Sequence, residues 1–234
     1  QEVEARFVAA LKKVPNMPTD DTPVGKSEDD NQLVYTWGEP TKFDFPVRNH
    51  AEIAELRGWI DKERATKVTG TRFAYIKGDM VRLQFALIQF IMDTVTSEDT
   101  LKKIITEFKL GATSSKPFTP VLPPLLLKTE TYDAMDRLEP RDDRYKIEGE
   151  DLWLQGSAEH VLGPLRSGET VMSDTLPERY LGYATSFRKE AGTYGKDMEG
   201  IIRMHQFDKL EMESFASADA SLSEHFLFIA IQEY

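Results

Sequence analysis

The run FRKEAGTYGKDMEGIIRMHQFDKLE, residues 187–211, carries charged and aromatic side chains at alternate positions near both of its ends. On a β-strand, side chains two residues apart project from the same face. If both ends are strands, two same-face sets result: Arg188 with Glu190, and Phe207 with Lys209 and Glu211. The run therefore predicts two neighbouring strands that present a guanidinium, carboxylates and an aromatic ring on one surface.

Upstream, Ser157 and Glu159 repeat this two-residue spacing and add a hydroxyl and a further carboxylate. Together these groups suit a zwitterionic or nucleotide ligand, because a guanidinium binds carboxylate or phosphate and a carboxylate binds an ammonium. Each feature alone has a plainer interpretation. An Arg–x–Glu pair is usually a solvated ion pair worth less than about 1 kcal/mol, Phe207 is ordinarily a core residue, and His205 an ordinary neutral histidine. The functional interpretation depends on their joint occurrence.

The segment between the two ends, AGTYGKDMEGIIR at 191–203, combines glycines with Lys196 and Arg203. A glycine-rich backbone flanked by positive charge favours a clamp for a polyphosphate, although glycines by themselves are weak evidence. This segment therefore extends the predicted ligand surface towards a phosphate chain.

The composition of the chain is that of a globular protein, with 234 residues, 40% hydrophobic and 29% charged. The net charge, 29 − 40 = −11, argues against the whole surface being a nucleic-acid platform. Cysteine is absent, which excludes disulfides and thiolate zinc sites, and the four histidines lack metal-ligand spacing. This composition fits a cytoplasmic protein.

No membrane association is expected from the apolar runs. The longest, at 121–127 and 226–231, are far shorter than the roughly 20 residues that span a bilayer. Gln1 opens a charged helical pattern instead of a signal peptide.

Hydrophobic spacing and turn residues predict an α+β fold with an antiparallel sheet, because strands and helices segregate along the chain. The predicted helices lie at 2–14, 49–64, from Asp79 as the cap, from Ser97 as the cap to Gly111, and from about 222, the last with Phe226, Ile229 and Ala230 inside. The predicted strands lie at 70–77, 145–147, 152–156, 180–187 and 205–215. Prolines within FTPVLPPLLL, 118–127, predict an edge strand or an interface segment.

The stretch 187–211 resembles motif 2 of the class II aminoacyl-tRNA synthetases, in the form found in the seryl-tRNA synthetase family. QGSAEH, from Gln155, resembles that family's T-x-E serine-binding loop. Four other stretches resemble the part before motif 1, the end of motif 1 and the linker from the coiled-coil arm: TGTRFAYIKGDMVRLQFALIQF at 69–90, FTPVLPPLLL at 118–127, VPNMPTDDTPVGKSEDDN at 14–31 and WGEPTKFDF at 37–45. The resemblance covers nearly the whole chain.

The resemblance implies an ATP site with Mg²⁺ as a cofactor. Arg188, the implied catalytic residue, would hold the α-phosphate of ATP, and Glu190 would read the adenine amino group. Phe207 would stack on the adenine and Arg203 would bind the γ-phosphate. No metal ligand is implied within this chain.

The resemblance also implies a serine site and a reaction. Ser157 and Glu159 would take the serine ammonium, Arg188 its carboxylate, and Glu211 would accept from its hydroxyl. The implied activity is ATP-dependent activation of serine to seryl-adenylate and transfer to tRNA(Ser).

By the same resemblance, residues 1–15 would be the end of an N-terminal helical arm, 16–40 a linker and 41–234 a partial catalytic core. The core would be a class II antiparallel sheet flanked by helices, truncated on the C-terminal side, with motifs 1 and 2 but without motif 3. The main tRNA contacts would lie in missing parts, and a homodimer would form through the motif 1 region.

Two departures from the family pattern are visible. Ser157 replaces the usual threonine, which keeps the hydroxyl and loses a methyl that restrains its rotamer. YDAMDRLEP, 132–140, lacks the G-T-G-x-x-P pattern common there, so no function is carried onto it.

Two alternatives stay open at this point. The chain could be a noncatalytic or repurposed paralogue, either an interaction module or a ligase that charges a carrier protein with an amino acid. It could also be an unrelated α+β protein with coincidental ion pairs. Retention of Arg188, Glu190, Arg203, Phe207 and Glu211 argues against loss of ATP binding.

Overall fold

The computed structural model of the protein describes residues 2–15, 18, 22–33, 35–190 and 200–234. The chain divides into two compact units, Gln1–Arg48 and Asn49–Tyr234. The division into an arm at 1–15, a linker at 16–40 and a core from 41 stays a prediction.

The first unit contains helix α1, Glu2–Leu11, which confirms the predicted helix at 2–14 apart from its last turn. No residue of α1 is buried, and a helix of this length is marginal in water without packing. A short 3₁₀ turn, Glu28–Asp30, begins at Ser27, whose side chain forms a capping box with Asp30.

The second unit contains the remaining helices and the strands. The helices are α2 (His50–Arg57), α3 (Lys62–Val68), α4 (Asp79–Val95), α5 (Glu98–Glu107), α6 (Thr129–Ala134), α7 (Glu159–Leu162) and α8 (Ser221–Glu233). The strands are β1 (Ile60–Asp61), β2 (Tyr75–Ile76), β3 (Thr119–Val121), β4 (Leu126–Lys128), β5 (Leu152–Leu154), β6 (Glu178–Phe187) and β7 (Gln206–Phe215).

The main sheet has the strand order β3-β6-β7. Strands β6 and β7 form a long antiparallel pair, with Glu178 opposite Phe215 and Phe187 opposite Gln206. Strand β3 runs parallel to β6 and lies at the edge of this sheet, so the edge expected for 118–127 is confirmed. The α+β class is confirmed as well, and the sheet is mixed instead of wholly antiparallel, because the long excursion between β3 and β6 permits a parallel return.

The main hydrophobic core lies on one face of this sheet, beneath α4, α5 and α8. It is built from the buried side chains of Val95, Leu101, Ile104, Phe118, Leu181, Leu227 and Ala230. Ser97 caps α5 as predicted, since its side chain accepts from the backbone N–H of Thr100.

Helix α8 is rotated relative to the prediction. Phe226 and Ile229 are 45% and 39% exposed, whereas Glu224, Leu227 and Ala230 are the buried positions. The reason is a buried ion pair: Arg179 on β6 donates from Nε to Glu224 at 2.7 Å and from Nη2 to its other oxygen at 2.5 Å. This pair fixes which face of α8 turns inward.

Several predicted elements near the start of the second unit are shorter than expected. The helix predicted at 49–64 is broken at Gly58, which is left-handed with φ 63° and ends α2. Only Tyr75–Ile76 of the strand predicted at 70–77 pairs, with β1. The cap of α4 is Gly78, not Asp79, which instead places its carboxylate in the first turn.

The segment 118–127 serves two sheets, since β3 pairs with β6 and β4 pairs with β5. Pro123 and Pro124 lie between these strands, where no ladder hydrogen bond is lost. Of the strand predicted at 145–147, only a single bridge from Lys146 to Trp153 forms.

Candidate active site

Strand β7 separates an apolar face from a polar one. Leu210 and Met212 pack against the helical core, so by alternation Lys209 and Glu211 project from the opposite face of the sheet. Phe207 shares that face, two residues before Lys209. The same-face set predicted for this strand is therefore present.

A glycine on the neighbouring strand makes room above Glu211. Gly182 lies directly opposite Glu211 in the register of β6 and β7. A Cβ at Gly182 would lie 2.5 Å from Leu162 Cδ1 and 3.1 Å from Ala158 Cβ. The absence of a side chain at this position thus lets the turn before α7, and α7 itself, lie directly on the polar face.

Ser157, Lys209 and Glu211 form one polar corner on this face. The buried Ser157 hydroxyl donates to Glu211 Oε2 at 2.5 Å and accepts from Lys209 Nζ at 3.0 Å. Lys209 Nζ is also 2.5 Å from the same Glu211 oxygen. A hydroxyl and a carboxylate therefore already hold an ammonium group between them.

Strand alternation accounts for only one of the three same-face sets that the two-residue spacing predicted. Ser157 lies beyond the end of β5 and Glu159 begins α7, while Arg188 and Glu190 lie beyond the end of β6. Glu190 has a φ of 52°, which is not a strand conformation. These side chains reach the site through turns, and only the set on β7 depends on strand alternation.

Arg188 lies beside Phe207 at the end of β6. Its guanidinium carbon is 5.4 Å from the centre of the Phe207 ring, within the range of a cation–π contact. Its Nε donates to the carbonyl oxygen of Gly156 at 2.9 Å, and its backbone N–H donates to the carbonyl of His205 at 3.0 Å. Among the described residues, the two terminal nitrogens of Arg188 have no hydrogen-bond partner, which leaves them available to an anion.

Glu159 contacts a cation that the sequence did not single out. Arg137 approaches one oxygen of Glu159 from Nε at 3.2 Å and from Nη2 at 3.0 Å. Arg137 belongs to the segment 132–140, onto which no function was carried. Its carbonyl oxygen is in turn held by Arg144 Nε at 3.1 Å.

Glu190 and Arg203 form an ion pair across the base of the 191–203 segment. Arg203 Nη1 lies 3.0 Å from Glu190 Oε2, and Arg72 Nη1 donates to the Glu190 carbonyl at 2.7 Å. The predicted glycine clamp with Lys196 falls largely on 191–199, outside the described residues.

The structure thus brings Ser157, Arg188, Phe207 and Glu211 to one face and leaves Glu159, Glu190 and Arg203 at its border, each in an ion pair. Two side chains at this face carried no assignment from the sequence, Arg137 and Glu213. The sequence was enough to predict Glu213 as a residue of this face, because it continues the alternation of Phe207, Lys209 and Glu211 by one step. No comparable sequence pattern indicated that Arg137 would lie at this face.

Burial, together with the negative charges of Glu159 and Glu211, raises the pKa of Glu213 to about 7. Lys209 and Arg137 act in the opposite direction. The site therefore has three neighbouring carboxyl groups and two cations.

We expect Glu213→Gln to stabilise the protein at pH 8 and to have almost no effect at pH 4. Because the pKa of Glu213 is higher in the folded state than its ordinary 4.5, its contribution to stability is complete below pH 4.5. It is lost as the pH rises to about 7. After allowance for solvent screening, the gain at pH 8 should be about 1–2 kcal/mol in urea unfolding.

Glu148→Gln, which removes a carboxylate from an exposed position, is the matched control for the loss of one negative charge. It should change the free energy of unfolding by less than about 0.5 kcal/mol at both pH values. A gain for Glu213→Gln that is equal at pH 4 and pH 8 would contradict the assignment of the raised pKa.

The described residues contain no cluster of three or more His, Asp or Glu side chains that could hold a metal ion. Across the same residues, no helix combines the length and the apolar character needed to cross a membrane.

Comparison with known proteins shows similarity to one protein family and to individual relatives. Residues 144–231 match the family described as "tRNA synthetase class II core domain (G, H, P, S and T)". The serine–tRNA ligase of Sulfurihydrogenibium sp. (strain YO3AOP1) is 39% identical over 225 residues, which is 96% of this chain and 50% of that protein.

Two solved structures share the fold. The seryl-tRNA synthetase of Pyrococcus horikoshii, complexed with ATP, superposes with a TM-score of 0.82 at 32% identity, covering 97% of this chain and 52% of that one. The cytoplasmic serine–tRNA ligase of Naegleria fowleri, in complex with AMP, has a TM-score of 0.82 at 26% identity, with coverage of 99% and 52%. The chain spans about half the length of the relatives it matches.

Proposed function

Because this chain belongs to the class II aminoacyl-tRNA synthetases and, within them, to the seryl-tRNA synthetase family, we propose that its polar face binds serine and part of ATP. The proposed reaction is the activation of serine to seryl-adenylate, followed by transfer to tRNA(Ser). The ATP and AMP complexes of the two similar structures support a nucleotide ligand.

The observation that carries this proposal is the corner formed by Ser157 and Glu211. It holds the Lys209 ammonium through a hydroxyl oxygen at 3.0 Å and a carboxylate oxygen at 2.5 Å. The same donor and acceptor set suits the ammonium and hydroxyl of free serine, with Glu159 as a second carboxylate at the border. Charge-assisted hydrogen bonds of this kind are among the strongest in proteins.

The terminal nitrogens of Arg188, which have no hydrogen-bond partner within the described part of the chain, complete the arrangement for adenylate formation. An oxygen of the serine carboxylate bonds to the α-phosphorus of ATP, while the bond from that phosphorus to the β-phosphate bridging oxygen breaks. Pyrophosphate leaves with that electron pair. Arg188 would neutralise the charge shared by the carboxylate and the α-phosphate, and Phe207 would stack on the adenine, so catalysis consists of positioning and charge stabilisation.

The border residues would hold the rest of the nucleotide. Glu190 would accept from the adenine amino group and Arg203 would bind the γ-phosphate, once their mutual ion pair opens. Mg²⁺ would neutralise the phosphates, but the described residues offer no metal cluster, so we assign it no ligand and no step here.

Serine selection is the sharpest test of the proposed function. In serine-dependent ATP–pyrophosphate exchange by the full-length protein, serine should be preferred to alanine by about 10⁴-fold in kcat/KM, because alanine leaves the half-buried Glu211 carboxylate without its hydroxyl donor. Transfer of serine to tRNA instead of a carrier protein would then separate the synthetase from a carrier-protein ligase.

Glu211→Gln should raise the KM for serine by about 10- to 100-fold, because the amide lacks the negative charge that strengthens the hydrogen bond accepted from the serine hydroxyl. The affinity for ATP, measured by calorimetry, should stay unchanged. Asp208→Asn is the matched control, since Asp208 is on the opposite face of β7 and bonds to Tyr183 and Thr185. Equal losses in both variants would count against the serine site.

Two further parts of the proposal concern the whole protein. We propose a homodimer through the motif 1 region around 118–127, a proline-containing segment with Leu122 78% exposed in the single chain, and sedimentation of the full-length protein tests this. We also propose tRNA contacts mainly through parts outside this chain, and a cytoplasmic location.

A further inference from the structure

His160 is a buried histidine that the proposed reaction does not use. It lies in α7 with 4% of its surface exposed, and its ring packs against that of Tyr132 in a tilted arrangement with centroids 4.9 Å apart. Its Nδ1 accepts a hydrogen bond from the backbone N–H of Gly156 at 3.1 Å. A histidine that accepts at Nδ1 carries its proton on Nε2 and is neutral.

The surroundings of His160 keep it neutral. Burial lowers its pKa to about 3, and the positive charges of Arg144, Arg188, Arg137 and Lys209 act in the same direction. The Nδ1 lone pair is thus available as an acceptor throughout the physiological pH range.

Gly156 joins His160 to Arg188. Its N–H donates to the imidazole, and its carbonyl oxygen accepts from Arg188 Nε at 2.9 Å. A Cβ at Gly156 would lie 3.2 Å from His160 Cε1 and 3.5 Å from the carbonyl oxygen of Phe187. The backbone of Gly156 is therefore held at its N–H by the histidine and holds the guanidinium at its carbonyl oxygen.

We propose that His160 is a positioning residue for Arg188: through the Gly156 backbone it sets the orientation of the guanidinium over Phe207. This inference rests on the proposed function, because only the proposed reaction gives Arg188 an anion to bind. A merely structural histidine would fill volume beside Tyr132 and would have no effect on Arg188.

Two variants of His160 distinguish a positioning role from a purely structural one. His160→Leu fills the space without an acceptor, whereas His160→Asn places a carbonyl oxygen near the position of Nδ1. In serine-dependent pyrophosphate exchange by the full-length protein, we expect His160→Leu to lower kcat/KM by roughly 10- to 100-fold, in line with the loss of one preorganised contact. His160→Asn should recover most of this loss.

A measurement on Arg188 itself does not depend on catalysis. The ¹⁵N relaxation of Arg188 Nε should show an ordered N–H in the wild-type protein and in His160→Asn, and a mobile one in His160→Leu. Ile104→Val, in the helical core on the other face of the sheet, controls for a modest loss of stability and should leave Arg188 ordered.

The outcomes are distinct for the two proposals. A wild-type protein without exchange activity, but with the expected Nε order in the three variants, would end the proposed function and leave the positioning contact standing. An active protein in which His160→Leu matches the wild type in both measurements, or in which His160→Asn is as impaired as His160→Leu, would overturn the positioning role.

Discussion

Arg188→Ala should reduce serine-dependent pyrophosphate exchange of the full-length protein by about 10³-fold or more, a loss of about 4 kcal/mol in transition-state stabilisation. The expected effect is large because Arg188 is the cation beside Phe207 whose terminal nitrogens have no partner among the described residues. In the proposed reaction these nitrogens face the anion that changes charge. Circular dichroism should show an unchanged fold, since within the ranges that the structure describes the one hydrogen bond of the side chain is to Gly156.

Arg188→Lys is the informative companion to this variant. Lysine keeps the positive charge but lacks the planar fork that binds a carboxylate and a phosphate together. It should therefore recover only part of the activity. If Arg188→Ala left the exchange rate unchanged, the role proposed for Arg188 would be wrong, however well the other residues fit.

Glu224→Leu should lower the free energy of unfolding by about 3–5 kcal/mol, the typical effect of leaving one partner of a buried ion pair alone. Arg179 is 2% exposed and donates to both oxygens of Glu224. It also donates to the carbonyl oxygens of Ser114 and Lys116, which ties β6 to the segment before β3. Without Glu224, a charged guanidinium would stay in the core with only neutral acceptors.

The double variant Arg179→Met, Glu224→Leu distinguishes loss of a partner from loss of packing. It should be more stable than Glu224→Leu alone, since replacement of both charges by apolar groups removes the unpaired charge. Glu98→Gln, which breaks the exposed pair with Lys102 on α5, should lower the stability far less than Glu224→Leu does. Urea unfolding of all three variants measures these differences. A loss below about 1 kcal/mol in the free energy of unfolding of Glu224→Leu would refute the stabilising role of the buried ion pair.

Much of the site could be predicted from local periodicity, and the parts that could not depend on turns. The alternation of Phe207, Lys209 and Glu211 is a property of one extended backbone, so it was readable without knowledge of any neighbour. Arg188 and Ser157 were placed at the site for a partly wrong reason. They follow the ends of β6 and β5, and the geometry of a turn depends on what it packs against.

The predictions of helices and strands also divide into those that the structure confirms and those that it contradicts. The strands at 180–187 and 205–215, the cap at Ser97 and the edge position of 118–127 follow from side-chain spacing, capping chemistry and proline's missing N–H, and each is present. The helix predicted across Gly58 was wrong, because the left-handed conformation of Gly58 ends α2. In α8 the inward position of Ala230 is confirmed, whereas Phe226 and Ile229 are exposed because the distant Arg179 holds Glu224 on the inner face.

From its amino-acid order alone, the chain determined its α+β class, its two long strands and the polar face of β7, since each depends on residues only a few positions apart. Tertiary structure decided the partners across that face. Ser157 meets Glu211 over a separation of 54 residues, Arg179 meets Glu224 over 45, and Arg188 meets Gly156 over 32. No backbone periodicity extends so far, so these contacts arise only when the turns and α7 pack onto the sheet at Gly182.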